Sequence, residues 1–521
     1  MKEYLLGVDV GTQATKGTLV RPSGEVVAVA AEEYEVLHPR PLWAEQWPEV
    51  WLQAVGTVIR ALLTRAGVSP KEVTGVCISG LYGGSGIPLD AKMKPIRPCL
   101  IWMDRRATAE VEWIKANVDL DKLFLVTGNW VDSYFGYTKI LWIKRHEPAN
   151  WRRISLFLPP NCYINFRLTG QVAIDHSSAG NLGGLYDIRT HAWSEEMAQA
   201  LGLPLELMPE KIVASGEVIG EVTREGAQLT GLAPGTPVLA GGVDAPMATL
   251  AAGALTVGDN VTMMGTSTCW GVIHAGEGFA RELVSMPHVV EATEKFYTWG
   301  GSATSGALAR WFRDELGQAE VARGLGEGGK DPYQFLDDLA RAVPPGCEGL
   351  LALPYFMGER APLWDPSARG AWVGLTLSHT KGHLFRALLE AAGFALRHAI
   401  EVGEEIGLPI SKETMVVGGV AKSPLWLSII ADITGRAIRT PATEGIEAPL
   451  ADALLVGLAM GLVDRYERIR EWISYGEPVL PHPERHAIYD RWYALYRQLY
   501  QALRPLFSKL QELPGDQAKT R

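Results

Sequence analysis

The apolar positions of this chain fall into short blocks with two different spacings. Residues 4–36 read as three strands: "YLLGVDV" runs into "GTQATKGTLVR", and "PSGE" turns the chain into "VVAVAAEEYEV". Pro-Ser-Gly between β-rich runs is a hairpin signal. Apolar residues then recur at helical spacing through "PEVWLQAVGTVIRALLTRAG", where Pro48 suits the first turn. "VTGVCISG", Val73 to Gly80, is a short apolar run ending in Gly and predicts a buried strand. The first part of the chain therefore combines a hairpin sheet with parallel βα units.

A second passage resembles the first. "LAGGVDAPMATLAAGAL" predicts a strand, a Gly-Gly turn and a small-residue helix, and "DNVTMMGTSTCWGVIHA" a strand, a Gly-Thr turn and a strand. Gly11-Thr12 and Gly265-Thr266 take the same place in two similar hairpins about 250 residues apart, a weak internal duplication. It predicts two domains of similar build, over 1–242 and 243–475, with a helical tail at 476–521. "MVVGGVAKSPLWLSIIADITG" adds another strand, Gly-Gly turn and helix. The tail is aromatic and helical, and its end, "QELPGDQAKTR", is expected to fray.

At 521 residues and 47% hydrophobic, the chain exceeds what one core needs and is not a disordered polymer. A net charge of -10 argues against broad nucleic-acid binding, which runs on Lys and Arg. The most basic stretch, "KRHEPANWRR", reads as a solvated helix end. Cys77, Cys99, Cys162, Cys269 and Cys347 are odd in number and lack a C-x-x-C spacing. They predict buried free thiols in a reducing compartment. The longest apolar run, Ala453 to Val463, is about half of a bilayer span and suits a helix packed tightly on a sheet. The N-terminal apolar run is too short for a signal peptide. A soluble, cytoplasmic protein with no membrane partner is expected.

Three strand-to-turn junctions carry small residues: Gly11-Thr12, Gly265-Thr266-Ser267 and Gly418-Gly419. Glycine lets backbone N–H groups approach an anion, and Thr and Ser add hydroxyl donors. Each alone is an ordinary turn. Two at matched positions, with a third before a helix, point to a phosphate chain. Neither G-x-x-x-x-G-K-[ST] nor a G-x-G-x-x-G after the first strand is present, so a nucleotide site must use another architecture. Two acids stand out, because a buried Asp is costly unless paired, bonded or near a metal. Asp244 is either a helix N-cap or a catalyst. Asp9 either bonds the N–H groups of its own hairpin or faces a nucleotide's Mg²⁺. His379 and His383 are four apart without an H-E-x-x-H pattern and predict helix capping, not metal binding.

"GVDVGTQATKG", "IWMDRRA", "SYFGYTKILWIK", "FRLTG", "GGVDAPMATLAAG", "MMGTSTCW", "LPYFMGERAPLWDPSARGAWVGL" and "VVGGVAKSPLWLSIIADITG" resemble the FGGY carbohydrate kinases, in that family's order over residues 4–465. The resemblance implies an α/β fold: two ribonuclease-H-like domains of the actin/hexokinase/Hsp70 superfamily with an interdomain cleft. It implies ATP and Mg²⁺ as cofactors and Asp244 as the base that deprotonates the attacking sugar hydroxyl. Asp9 would face the metal, through water. Gly11, Thr12 and Gln13 would form one phosphate turn, and Gly265, Thr266 and Ser267 the other. Gly301 and Gly306 would lie near the nucleotide, Gly418 and Gly419 beside the adenosine, with Ser423 at the base. Family members are often dimers, so a homodimer is the expected form.

On the acceptor side the chain resembles the xylulokinase-like branch but departs from it. Xylulokinases carry Ser-Gly-Gln-Met-His-Gly where this chain has "SGLYGG", so Leu81, Tyr82 and Gly83 replace Gln, Met and His. The Arg-Glu pair of glycerol kinases is also absent. Tyr82 is either a ring packed on the cleft floor or a phenol bonding a sugar hydroxyl. Trp102, Asp104 and Tyr134 are the other implied substrate residues. Ala245 follows the base where relatives may carry Asn or Gln. Arg106 is expected to be structural, and Glu359 and Arg360 to form an ion pair. The expected substrate is a ketopentose such as D-xylulose. Alternatives are another sugar or polyol (erythritol, glycerol, ribulose or a hexulose), or a non-catalytic nucleotide switch.

Overall fold

In the computed structural model, residues 3–276, 278–326, 329, 331–442 and 447–512 are described. The stretch expected to fray lies, from residue 513 on, outside the described residues. The chain forms two compact units. One comprises Met1–Val257, Ile273–Thr298 and Thr443–Ser474; the other comprises Gly258–Val272, Trp299–Ala442 and Tyr475–Arg521. Where the internal repeat suggests one crossing near residue 242, the chain leaves the first unit and returns to it more than once. Asp244 stays in the first unit, and the aromatic tail belongs to the second.

The first unit opens as the alternation predicts, with β1 (Tyr4–Val10), β2 (Ala14–Val20) and β3 (Val26–Glu33) paired antiparallel. Helix α1 (Pro48–Ala66) starts at its proline and ends at Gly67 in the left-handed region. Strand β4 (Val73–Gly80) lies parallel to β1, and β5 (Val218–Glu221) and β6 (Pro237–Leu239) complete the order β5-β6-β4-β1-β2-β3. Register places Gly7 beside Cys77 and Asp9 beside Ser79. Side chains alternate between the two faces of a strand. Leu6, Val8, Val10, Val76 and Ile78 therefore join one apolar core. Gly7, Asp9, Cys77 and Ser79 share the opposite face.

Two helices matter for the site. Helix α2 (Asp244–Ala251) follows the Gly241-Gly242 turn, and α3 (Ala448–Ala459) covers the Gly7 face. A Cβ on Gly7 would lie 1.8 Å from the Pro449 carbonyl oxygen and 2.8 Å from the Ala453 nitrogen. The small residues of the longest apolar run thus bring a helix backbone directly onto a strand, as expected.

In the second unit, β7 (Asn260–Met264) and β8 (Thr268–His274) form the second hairpin, and β9 (Glu413–Val417) and β10 (Ala437–Arg439) continue in the order β8-β7-β9-β10. The tail helix Pro483–Glu512 buries Tyr489, Tyr493, Tyr496 and Tyr500. The Tyr489 hydroxyl donates to Glu390, which also holds Arg386 at 2.8 Å. His383 caps its helix at Thr380 as predicted. Among the described residues, no group of three His, Cys, Asp or Glu side chains could hold a metal, and no helix is long and apolar enough to cross a membrane. All five cysteines are free thiols, and all but Cys269 are buried.

Candidate active site

Asp9, the last residue but one of β1, lies on the face shared with Ser79, whose Oγ is 3.3 Å from its Oδ1. Burial, reinforced by the charge of Asp244, pushes its carboxyl well above the usual carboxylate range; Lys16 opposes this. Asp244 is the first residue of α2, and Val243 holds the cap position without a side-chain bond, so Asp244 is not an N-cap. Its carboxylate accepts from the Ala245 N–H, and burial raises its pKa. The two carboxyl groups lie within electrostatic reach of each other, and Lys16 is the cation that acts on Asp9.

The turn after β1 is tied from three sides. The Gly11 N–H donates to the Ala14 carbonyl at 3.0 Å, and the Tyr34 hydroxyl donates to the Gly11 carbonyl at 2.7 Å. Gln46 Nε2 donates to the Thr12 carbonyl at 2.8 Å, and Trp102 Nε1 to Thr12 Oγ1 at 3.0 Å. Gln13 remains exposed at its tip. Turns closed this way keep their N–H groups oriented outward.

The second unit's turn is similarly closed, Gly265 N–H donating to the Ser267 carbonyl at 3.0 Å, and it leaves Gly265 and Thr266 exposed. Gly306 starts the helix Gly306–Leu316, and its N–H donates to the Gly265 carbonyl at 2.9 Å; Ser305 and Ala307 donate to Thr266. Gly301 is buried, and its N–H donates to the Ala361 carbonyl. These two N–H groups are bonded to backbone carbonyls. Glu359 accepts from Ser302 Oγ and the Ala303 N–H, both at 2.7 Å, while Arg360 Nη2 reaches the Thr268 and Ser302 carbonyls at 3.1 Å. The Arg360 charge acts on Glu359, and together the two side chains clamp the Ser302 segment. Gly418, at φ 97°, precedes a short 3₁₀ turn, Gly419–Lys422. Ser423 caps the helix Pro424–Thr434 through the Trp426 N–H and donates to Asp337 at 2.6 Å, so its hydroxyl is engaged within the unit.

The residues expected at the acceptor divide into two groups. Asp104 is sealed: it binds Arg106 through both oxygens and accepts from the Ala44 N–H at 2.7 Å. Arg106 also meets Glu45 at 2.6 Å and lies 3.6 Å above the Trp43 ring. Asp104, implied as a substrate residue, is thus held as a structural carboxylate, because the motif shows its position but not its partner. Trp102 spends its N–H on Thr12. Leu81 is buried and donates its N–H to the Val10 carbonyl. The second group surrounds Gly83, whose absent side chain is replaced by a ring. A Cβ there would lie 2.7 Å from Cζ of Tyr134, and φ is 85°. The Tyr134 hydroxyl lies 3.2 Å from Asn181 Oδ1. Tyr82 is buried near Cys162 and Cys99, and burial raises its phenol well above its ordinary value. Lys139 is caged by the carbonyls of Gly83, Ser133 and Tyr134, and burial pushes it down to about 7.

The family models for the N-terminal and C-terminal domains of the FGGY carbohydrate kinases match residues 4–251 and 260–470. The chain belongs to the FGGY carbohydrate kinases. It is 30% identical over 504 residues to the xylulose kinase of Bacillus subtilis strain 168, covering 96% of this chain and 97% of that one. A xylulose kinase structure from Rhodospirillum rubrum superposes with a TM-score of 0.86 at 32% identity, over 97% of this chain and 100% of the other. A gluconate kinase structure from Lactobacillus acidophilus superposes with a TM-score of 0.87 at 26% identity, over 97% and 99%.

As an FGGY kinase, the protein is an enzyme of the two-domain actin/hexokinase-like fold that phosphorylates a small sugar with ATP. The motifs of this FGGY chain do not reveal the partners of Ser79, Asp9 and Asp452, nor the carbonyl cage of Lys139. A weak signal was present: small or polar residues alternate at Gly75, Cys77 and Ser79 inside an otherwise apolar strand.

Proposed function

We propose that the substrate is a neutral ketopentose such as D-xylulose and that Asp244 is the general base. The observation that carries the base assignment is the place of Asp244, half-buried at the start of α2, where its carboxylate accepts from the Ala245 N–H and desolvation raises its pKa. Such a carboxylate keeps its affinity for a proton. A positioned base of this kind contributes about 10²- to 10⁴-fold. Within the first unit, Thr12 and Gln13 on the Gly11 turn carry donors suited to a phosphate; within the second, Thr266 and Ser267 on the Gly265 turn do the same, and Gly418 and Gly419 suit the close approach of an adenosine. Asp9 fits a Mg²⁺ ion: it is an oxygen donor whose charge, beside that of Asp244, is under-compensated. Because the ion is bound through one or two carboxylates plus substrate phosphates, it would enter with the nucleotide and neutralise phosphate charge.

The choice between a neutral sugar and a sugar acid follows from the cations around Gly83. Lys139 is held by three carbonyls, Arg105 is paired with Asp132, and Arg106 with Asp104 and Glu45. All three are already compensated, which favours a neutral acceptor over gluconate. Tyr82 and Tyr134 supply the phenols that would take the place of the missing histidine. The buried free thiols support a cytoplasmic location, and a homodimer remains the form to test by sedimentation.

A coupled ADP-release screen over pentuloses, hexuloses, polyols and sugar acids tests the substrate. D-xylulose is expected to give the highest kcat/KM. Preferential saturation by gluconate would overturn the neutral-sugar reading.

A further inference from the structure

Behind Asp9 lies a buried carboxyl group that the reaction does not require by itself. Asp452 on α3 is fully buried, facing the Gly7 side of the sheet. Its Oδ2 is 2.6 Å from Ser79 Oγ, and its Oδ1 is 3.3 Å from Cys77 Sγ. Ser79 Oγ is in turn 3.3 Å from Asp9 Oδ1. A serine hydroxyl carries one proton, yet Ser79 stands between two carboxyl groups. If both were ionised, one of its two contacts would set oxygen lone pairs against each other. Two arrangements satisfy every contact, with the extra proton on Asp452 or on Asp9; Asp452 is fully buried, whereas Asp9 is half-buried and feels the Lys16 charge, so the proton belongs on Asp452. Cys77 S–H then donates to Asp452, the Asp452 acid O–H to Ser79, and Ser79 O–H to Asp9.

We propose that Asp452 is a positioning residue, a neutral acid that commits the Ser79 proton to Asp9 and so fixes the orientation of that carboxylate. Burial, chiefly, and the nearby Asp9 charge hold the Asp452 carboxyl well above the usual range, in agreement with the hydrogen count. The relay is available because register places Ser79 beside Asp9 and because Gly7 lets α3 sit directly on β1. An interior acid left unpaired would be costly, so this one is retained where its proton has an acceptor.

The proposal rests on Asp9 working at the phosphate end of the kinase site, and its test separates the two readings. Four variants are assayed for ADP release and thermal midpoint: Ser79→Ala, Asp452→Asn, Asp452→Ala and the double Ser79→Ala/Asp452→Ala. Asparagine can accept from Cys77 and donate to Ser79, as the neutral acid does. Asp452→Asn is expected to keep kcat within about threefold, whereas Ser79→Ala lowers it about tenfold or more with sugar KM little changed. The double variant is expected to lose no more than the larger single loss, as members of one relay do. Multiplying effects, normal kcat in Ser79→Ala, or an Asp452→Asn variant as slow as a folded Asp452→Ala would overturn the relay. If Asp452→Ala does not fold, Ser79→Ala and Asp452→Asn decide. An inactive Asp244→Ala alongside normal relay variants would reject the relay alone; an active Asp244→Ala would reject the kinase assignment beneath it.

Discussion

At the scale of single residues, Asp244 has the same identity as the chain's surface aspartates but a different ground state. Its carboxyl is pushed up to about 6 by burial, against an ordinary value of about 4. A base must be ionised to accept the sugar proton. The rate should therefore fall as pH drops through the folded pKa. We expect the acid limb of kcat/KM near pH 6, about tenfold per unit below it; a limb near 4 would contradict the assignment. The same shift acts on stability with a definite sign. The folded carboxyl holds its proton more tightly than the unfolded one, so its contribution is full at low pH and is lost as pH rises through about 6. Residue identity made Asp9 and Asp244 legible as candidates, because an Asp inside an apolar run demands an explanation. It did not make partners legible. Asp104 and Ser423 sit in matching motifs, yet one is locked to Arg106 and the other to Asp337 and a helix end.

At the scale of elements, the first hairpin, β4 and the small-residue helix could all be read from periodicity. What alternation could not reveal is which covering helix the Gly7 face receives, since α3 arrives from more than 430 residues away in the chain. The backbone contact at Gly7 is the hinge of that packing. A methyl group there would overlap the Pro449 carbonyl, and a backbone cannot yield as a flexible side chain can. Gly7→Ala should destabilise the first unit by about 2 kcal/mol or more, read as a lowered midpoint in urea. An unchanged midpoint would mean that α3 is not seated on β1. Gly301 and Gly306 teach the same lesson: the motifs mark them, but not that a Cβ would meet the Thr268 carbonyl at Gly301 and the Gly265 carbonyl at Gly306.

At the scale of the whole molecule, the family resemblance spans nearly the entire chain, and both family domain models match. Fold and reaction type were accordingly the most legible features. Substrate was the least, because it depends on what fills the space around Gly83, and the answer there comes from Tyr134 and Lys139 in another segment. The chain's repeated passages between its two units were also hidden, since a local repeat says how each hairpin is built and not where each stretch resides. The central claim is that this chain transfers phosphate to a sugar with Asp244 as its base. The most direct measurement is ADP release and ATP binding by Asp244→Ala, compared with the unaltered enzyme in the presence of D-xylulose. The account predicts at least about 10²-fold loss of kcat, with the Kd for ATP little changed; near-normal turnover would contradict it.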